Sequence, residues 1–510
     1  MRILLLAHAF NSLTQRVFVE LRAAGHEVSV EFDINDAVTQ EAVALWRPDV
    51  VVAPFLKRRI PDAVWRDVRC LVVHPGVVGD RGPSALDWAI ADAETTWGVT
   101  VLEANGEMDA GDVWASAEFP LRDATKGSLY RHEVTEAAVA ALREALAGIA
   151  RGARPTPLPA FGDRARGKAR PAMRQTDRAI DWRADDTATV LRKVRAADGA
   201  PGVLDHVLGE AVYLFDAHAE GGLAHLRAGA TPGTVVARRD GAILRATIDA
   251  AVWITHVKRA EGPEPRLKLP AQMVLGERLA DVPEAPLAPD VRVAFPTWRP
   301  IEYAEEGAVG ILRFPFHNGA MGTAQCEALR AAYAEAKARE TRVIVLEGGP
   351  DFWSNGIHLN LIEAADHPAE ESWRNINAMD DLVREIVETE KQLTIAAMQG
   401  NAGAGGVFLA LAADRVYVRD GAILNPHYKG MGNLYGSEYW TYLLPRRVGA
   451  EGARALTQGR LPMSAREAVA AGLADDCFAA TAAAFRREVG RRAHAAAGAA
   501  DFTAQLAAKA

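Results

Sequence analysis

Four stretches of the chain bring together residue types that can do chemistry. The first is His74-Pro75-Gly76-Val77-Val78-Gly79-Asp80-Arg81-Gly82-Pro83-Ser84, where a histidine closes an apolar run. Imidazole moves protons near neutral pH, and a carboxylate beside it can orient the ring and hold its charge. The second stretch, Glu107-Met108-Asp109-Ala110-Gly111-Asp112, offers such a carboxylate. His74 and Asp109 are therefore candidate catalytic residues; a strand-end histidine capped by backbone, with Asp109 in a plain turn, would read the same way. The third is a pair of glycine-containing turns, Phe352-Trp353-Ser354-Asn355-Gly356-Ile357 and Asn401-Ala402-Gly403-Ala404-Gly405-Gly406-Val407-Phe408. Glycines let backbone approach a ligand, and a helix start offers unpaired N–H donors. Two such donors from two turns can form an oxyanion hole for a thioester carbonyl; tight packing is the alternative. The fourth stretch, Asn425 to Trp440, crowds titratable and aromatic groups around glycines. Tyr428 and Glu438 are its candidate acid/base pair, against the alternative of a surface loop and a helix from Ser437.

The elements that must position these residues can be read from periodicity. Arg2 to Ala7, Val28 to Phe32, Asp49 to Ala53 and Cys70 to His74 are short apolar strands, with helical patterns such as Leu13 to Ala24 between them. Strand and helix in alternation predict a parallel sheet with helices on both faces, whose ligands sit beyond the carboxyl ends of the strands. His74 lies at such an end, and the loop after Ala7 holds Asn11, Ser12, Thr14 and Gln15 at another. Those four residues fit a ligand-binding role and a helix-capping role equally. A helix from Ser128 to Ala150 closes this unit.

A Pro/Gly/Arg linker from Gly152 to Pro171 precedes short strands at Ala211 to Phe215, Gly233 to Ala237, Ala242 to Ile248 and Ala251 to Val257, a pattern that predicts a small β-barrel. Past a second linker, strands at Val309 to Phe314, Arg342 to Glu347 and Thr394 to Met398 alternate with helices at Thr323 to Arg339 and Glu370 to Gln392. The expected domains are residues 1–152, 172–275 and 300–510, an α/β multidomain chain.

Bulk properties narrow the partners. At 510 residues the chain exceeds one hydrophobic core, so two to four domains are expected. A net charge of −8 argues against nucleic acid as a partner, since phosphate binding needs a concentrated basic face. The basic stretch Arg151 to Arg174 is interleaved with Pro and Gly and reads first as a solvated linker, with contact to a phosphate-bearing ligand as the second reading. Three widely spaced cysteines without a CxxC pattern predict a reducing compartment, with no disulfide framework and no metal site. The opening MRILLLAHAF is too short for a signal peptide, and no stretch reaches the roughly 18 apolar residues that span a bilayer. A cytoplasmic protein without a membrane partner is expected. No fixed-period repeats are visible.

The segment from His74 through Trp88-Ala89-Ile90, Trp97-Gly98-Val99-Thr100 and Met108-Asp109-Ala110-Gly111-Asp112 resembles the core of methionyl-tRNA formyltransferase and its relatives, which use 10-formyltetrahydrofolate. The resemblance implies that His74 and Asp109 are the catalytic pair and that Gln15 and Ser84 lie at the formyl-folate site. The family's catalytic Asn falls on Val72, so one expected oxyanion donor is absent. Asp181-Trp182 and the strands after it resemble the family's C-terminal domain, without the basic character that tRNA binding needs.

The two glycine turns, with Leu444-Pro445-Arg446-Arg447-Val448-Gly449 downstream, resemble the crotonase superfamily of enoyl-CoA hydratases and isomerases. The resemblance implies coenzyme A binding, with the amides of Asn355 and Gly405 as the oxyanion hole. The two hydratase glutamates fall on Phe408 and about His427, so alkene hydration is not expected. A formyltransferase joined to a crotonase domain resembles the HypX/HoxX family, maturation factors of nickel-iron hydrogenase. That resemblance implies formyl transfer from 10-formyltetrahydrofolate to CoA, then cleavage of formyl-CoA to CO and CoA with Tyr428 and Glu438 at the second step. It also brings hydrogenase maturation proteins, or the large-subunit precursor, into view as partners. A thiol ionises more readily than a typical amine, so a CoA-using transferase can tolerate Val72 where amine-using relatives keep Asn. Two rival readings remain: a small-amine or sugar-amine formyltransferase with a catalytically silent CoA-binding half, and a non-enzymatic assembly module.

Overall fold

The computed structural model describes residues 1–428 and 436–509. One compact unit contains residues 1–218, 229–234 and 245–262; a second contains 219–228, 235–244 and 263–510.

In the first unit, six strands stand in the order Glu27–Phe32, Arg2–Ala7, Val50–Phe55, Cys70–His74, Thr96–Glu103, Val113–Pro120. The first four run parallel, as their intervening helices dictate. Thr96–Glu103 alone is reversed, pairing antiparallel with both Cys70–His74 and Val113–Pro120, and residues 104–112 between the last two strands are too few for a crossover helix. Leu4, Leu6, Val51 and Ala53 point to one face, against Ala42, Val43 and Trp46 of helix Asp36–Trp46. Helices Ser12–Ala23 and Thr135–Ala150 pack together against the sheet. The predicted helix from Ser128 begins earlier, at Lys126, and widens into a π turn over Tyr130–Val134 before Thr135–Ala150. Thr135 Oγ1 donates to the Tyr130 carbonyl at 2.7 Å within that turn.

Asp87, on helix Ala85–Ala91, is buried and accepts from the Arg178 guanidinium and from Lys126 Nζ at 3.0 Å. Further along the unit, Val203–Val207 and Glu210–Glu220 form an antiparallel hairpin. Its two-residue turn, Leu208-Gly209, has φ of 50° and 82°, the mirror-image turn that matches strand twist.

Val235–Arg239, in the second unit, neighbours strand Ala242–Ala246, whose residues 242–244 belong to the same unit, and the chain at 283–285 hydrogen-bonds to the free edge of Val235–Arg239 through Arg238. Barrel closure would need that edge for another strand. The strands expected of the middle segment are present, but among the described residues no pairing closes them into a ring.

The main sheet of the second unit runs Glu302–Glu306, Val309–Phe314, Val343–Gly348, Leu393–Met398, Arg415–Arg419, Asp476–Phe478. It is parallel after its first antiparallel pair. A small second sheet carries the glycine turns: Phe352–Ser354, Asn401–Gly403, Ile423–Asn425 and Met463–Ser464. Helices Thr323–Lys337 and Pro368–Val387 pack side by side over a core that includes Leu346, Trp353, Met379 and Phe408. Helix Trp440–Gly459 starts three residues after the predicted Ser437, because Glu438 and Tyr439 take φ of 59° and 49° and cannot be its first turn. No helix among the described residues is long and apolar enough to cross a membrane.

The buried Asp87 carboxylate faces two cations, so its removal leaves Arg178 as an uncompensated buried charge. Asp87→Ala should cost about 3–5 kcal/mol, read as a lower calorimetric transition for this unit. A transition within a degree or so of the parental one would show that water replaces the carboxylate there.

Candidate active sites

His74 ends its strand with only 3 % of its surface exposed. Its Nε2 lies 2.9 Å from Asp80 Oδ1 and its Nδ1 lies 3.6 Å from Asp109 Oδ2. The structure thus brings the predicted pair together and adds a second carboxylate, Asp80, that sequence reasoning passed over. Its signal was present: an acidic residue six positions after His74, in the same glycine-rich loop. Asp80 is itself 2 % exposed, and its Oδ2 has no hydrogen-bond partner among the described residues. Asp109 sits at φ 53° and accepts the Gly82 N–H at 3.2 Å.

The loop that sets this geometry is pinned from below. Thr100 Oγ1 donates to the Gly76 carbonyl at 2.8 Å, and Trp97 Nε1 to that of Pro75 at 2.9 Å. Gly76 is required because a Cβ there would stand 2.5 Å from His74 Nε2 and 2.7 Å from Asp80 Oδ1. Val72 lines a small cavity with Asp109, Ile60, Leu102 and Met108, and supplies no donor to it.

The residues expected at the formyl-folate site have backbone partners in this structure. Gln15 Nε2 donates to the Phe10 carbonyl at 2.8 Å. Asn11 caps helix Ser12–Ala23 by accepting the Thr14 N–H at 3.0 Å. Ser84 Oγ accepts the Met173 N–H at 3.1 Å.

In the second unit, Tyr428 Oη donates to Glu438 Oε2, joining the two residues singled out in the sequence. Glu438 is 1 % exposed. Its Oε2 also accepts the Ser437 N–H at 3.2 Å, and its own N–H donates to Asp380 Oδ1 at 2.6 Å. Burial pushes the Glu438 carboxyl up to about 7, with the Asp380 charge adding to the rise and the Tyr428 hydroxyl opposing it. Burial, then the Glu438 charge, pushes the Tyr428 hydroxyl far above its ordinary value, so it stays protonated. The Tyr428 ring stacks on Phe408 at 5.4 Å. Lys429 to Tyr435, within the polar run Asn425 to Trp440, lie outside the described residues.

The two glycine turns meet, but the expected oxyanion hole is not open in this state. The Asn355 N–H donates to the Gly319 carbonyl at 2.7 Å, and its Nδ2 to the Asn318 carbonyl at 2.7 Å. The neighbouring Gly356 N–H donates to Ser354 Oγ at 3.0 Å, and a Cβ on Gly356 would stand 3.2 Å from the Gly405 amide nitrogen. A Cβ on Gly405 would lie 2.0 Å from Glu438 Oε1, so any side chain there would displace the carboxylate from this place. Asp380, on helix Pro368–Val387, was the other residue missed. No local pattern ties it to a residue 58 positions away.

Comparison with known proteins matches residues 11–146 to the formyl transferase family, residues 172–268 to the formyl transferase C-terminal domain and residues 308–509 to the enoyl-CoA hydratase/isomerase family. The hydrogenase maturation factor HoxX of Bradyrhizobium diazoefficiens is 57% identical over 510 residues, covering 100% of this chain and 87% of that protein. A methionyl-tRNA formyltransferase of Variovorax paradoxus is 29% identical over 230 residues, 44% of this chain and 69% of that one. The crystal structure of HypX from Aquifex aeolicus in complex with tetrahydrofolic acid superposes with a TM-score of 0.96 at 49% identity, covering 100% of this chain and 88% of that one.

A carboxyl raised on folding favours the native state while it stays protonated. That stabilisation is full below the ordinary carboxyl value of 4.5 and is lost as pH rises through about 7. Glu438→Gln keeps a neutral side chain at every pH. Urea unfolding from pH about 5 to about 8 should therefore show the parental chain losing stability relative to the variant. Parallel pH curves would mean that Glu438 is ionised throughout.

Proposed function

This chain belongs to the HypX/HoxX family of hydrogenase maturation factors, and from that premise we propose that it makes carbon monoxide in two steps at two sites. In the first, coenzyme A sulfur attacks the formyl carbon of 10-formyltetrahydrofolate. The carbon–nitrogen bond breaks, the carbon–sulfur bond of formyl-CoA forms, and the thiol proton ends on the folate nitrogen. His74 is the proton carrier for that exchange. Asp109 lies 3.6 Å from its Nδ1 and helps to orient the ring. Gln15 and Ser84 belong to the loops that receive the formyl-folate, on this reading after their backbone bonds to Phe10 and Met173 are exchanged for ligand contacts.

In the second step, formyl-CoA loses its formyl proton to Glu438, the carbon–sulfur electron pair leaves with sulfur, and CO departs. The proton returns from the Tyr428–Glu438 pair to the thiolate, so HC(O)–SCoA becomes CO and HSCoA without water, oxidant or reductant. The observation that carries this reading is the Tyr428–Glu438 hydrogen bond over Gly405, with the Glu438 carboxyl buried and Phe408 stacked on Tyr428. A base raised to about 7 is matched to work near neutral pH. Gly405 supports a thioester carbonyl through its amide, and Asn355 joins it once its N–H leaves the Gly319 carbonyl. On this reading the chain has a formyltransferase part over 1–152, its C-terminal-like part over 172–275 and a crotonase-like part over 300–510, and acts in the cytoplasm on small-molecule substrates. Hydrogenase maturation proteins or the large-subunit precursor are the receivers of the product.

The deciding assay supplies 10-formyltetrahydrofolate and CoA to the purified chain and follows CO with a haem probe. CO should appear only with both substrates. Formyl transfer to an amine without CO would favour the amine-formyltransferase reading instead. Tyr428→Phe and Glu438→Gln should each cut CO release by about 10²-fold or more while formyl-CoA still accumulates; parental CO from both would remove these residues from the mechanism. His74→Ala and Asp109→Asn should abolish formyl transfer yet leave cleavage of supplied formyl-CoA intact, and unchanged folate turnover would refute their roles.

A further inference from the structure

We propose that Asp380 is a positioning residue for Glu438, fixing its backbone so that the carboxylate rests between Tyr428 and Gly405. The inference deepens the cleavage step above and rests on that reading for its kinetic arm. Glu438 and Tyr439 are consecutive non-glycine residues in the left-handed region, at φ 59° and 49°. Each such residue costs about 1 kcal/mol or more unless its surroundings hold it there. The tie that holds Glu438 is a hydrogen bond from its N–H to Asp380 Oδ1 at 2.6 Å, made across from helix Pro368–Val387. Charge-assisted bonds of this kind are short and strong.

Geometry leaves the carboxylate little latitude. The Glu438 oxygens already occupy the place of a Gly405 Cβ, and Tyr428 Oη meets Oε2. A rotation of the Glu438 backbone toward the ordinary helical region would swing the side chain off both. Asp380 therefore acts on the site without reaching a substrate.

Asp380 is half-buried, and its carboxyl is raised by burial, lowered by the Glu438 N–H and raised by Asp381. Asp381 in turn pairs with Arg330 and Arg384. Among the described residues, Tyr428 and Cys326, the latter from helix Thr323–Lys337, also face Glu438. Of these, only Asp380 brings a negative charge that raises Glu438.

Two variants separate the parts. Asp380→Asn keeps an oxygen to accept the Glu438 N–H but removes the charge; Asp380→Ala removes both. With formyl-CoA supplied, Asp380→Ala should lower kcat for CO release by about tenfold or more, with KM little changed. Asp380→Asn should restore most of that rate while its pH–rate midpoint moves to lower pH. The second readout needs no substrate. The infrared carbonyl band of the protonated Glu438, identified by its loss in Glu438→Gln, should titrate at lower pH in both Asp380 variants. Formyl transfer by the first unit should match the parental chain in both variants, and an unchanged near-ultraviolet circular dichroism spectrum should report that the second unit is folded. A parental rate and parental band midpoint in Asp380→Ala, or a rate in Asp380→Asn as low as in Asp380→Ala, would overturn the positioning role. If the parental chain itself releases no CO, the cleavage reading fails, and the infrared midpoints alone decide the role of Asp380.

Discussion

The second unit is organised around one carboxyl group that has almost no water. Glu438 is 1 % exposed, and an isolated charge in such a place would be expensive. The fold deals with this by raising the group to about 7, so that near neutrality it is divided between its two forms. Tyr428 and Ser437 stabilise the ionised form by donating to Oε2, whereas burial and Asp380 oppose it. The balance is held by backbone in an unfavourable conformation, at φ 59° and 49°. Strain of this kind persists only where the surroundings over-determine it, and here they do: Gly405 beneath, Asp380 behind and Tyr428 in front. Phe408 finishes the enclosure by stacking on Tyr428 at 5.4 Å, which fixes the phenol and keeps water from that side.

The first unit solves a different problem with a different device. His74 has a carboxylate at each ring nitrogen, Asp80 at 2.9 Å and Asp109 at 3.6 Å. The ring is thereby fixed in orientation by contacts on opposite edges, and the loop that carries Asp80 can fold over it only because residue 76 is glycine. The parallel part of the sheet delivers His74 to the carboxyl end of its strand, as the general rule for such sheets requires. Val72 adds no polar side chain to the wall of the neighbouring cavity. On the proposed reading this suits a sulfur nucleophile, which needs less help to lose its proton than an amine does.

Local pattern was a good guide wherever a local cause sets the structure. Cys70–His74 and Val309–Phe314 have the ends that their apolar runs predicted, because β-branched runs between turn residues specify short buried strands. The hairpin turn Leu208-Gly209 and the caps at Asn11 and Asp186 are equally local in origin. What could not be read are partnerships made by distant chain segments. Asp80 lies in the loop that was singled out, yet only the fold shows that it, too, reaches His74. Asp380 lies 58 residues from Glu438, and nothing in a helical repeat marks it. The Asn355 amide looks available in the glycine-turn motif, and only the approach of Gly319 shows that it is engaged. The middle strands carry a barrel-like pattern, but the edge of Val235–Arg239 goes to the chain at 283–285, which no periodicity announces.

The two environments also explain why the departures from the related enzymes are consistent with one another. Hydration of an alkene needs water held between two carboxylates; on the proposed reading, a site with Phe408 and His427 at those two positions and a buried Glu438 as its base is built for other chemistry. Removing a proton from a formyl carbon asks for the opposite conditions, a base of raised affinity in a place where water does not compete. Glu438 has that affinity because it is desolvated, and it can be desolvated because Tyr428 supplies a hydrogen bond that water otherwise would. A second ionised carboxylate at the position of Phe408 would raise Glu438 further and draw water in, so its absence is a condition of the site and not a loss. Transfer of a formyl group between nitrogen and sulfur, by contrast, exchanges protons between heteroatoms. A histidine held by carboxylates at a strand end is suited to that task, and a dry carboxyl is not.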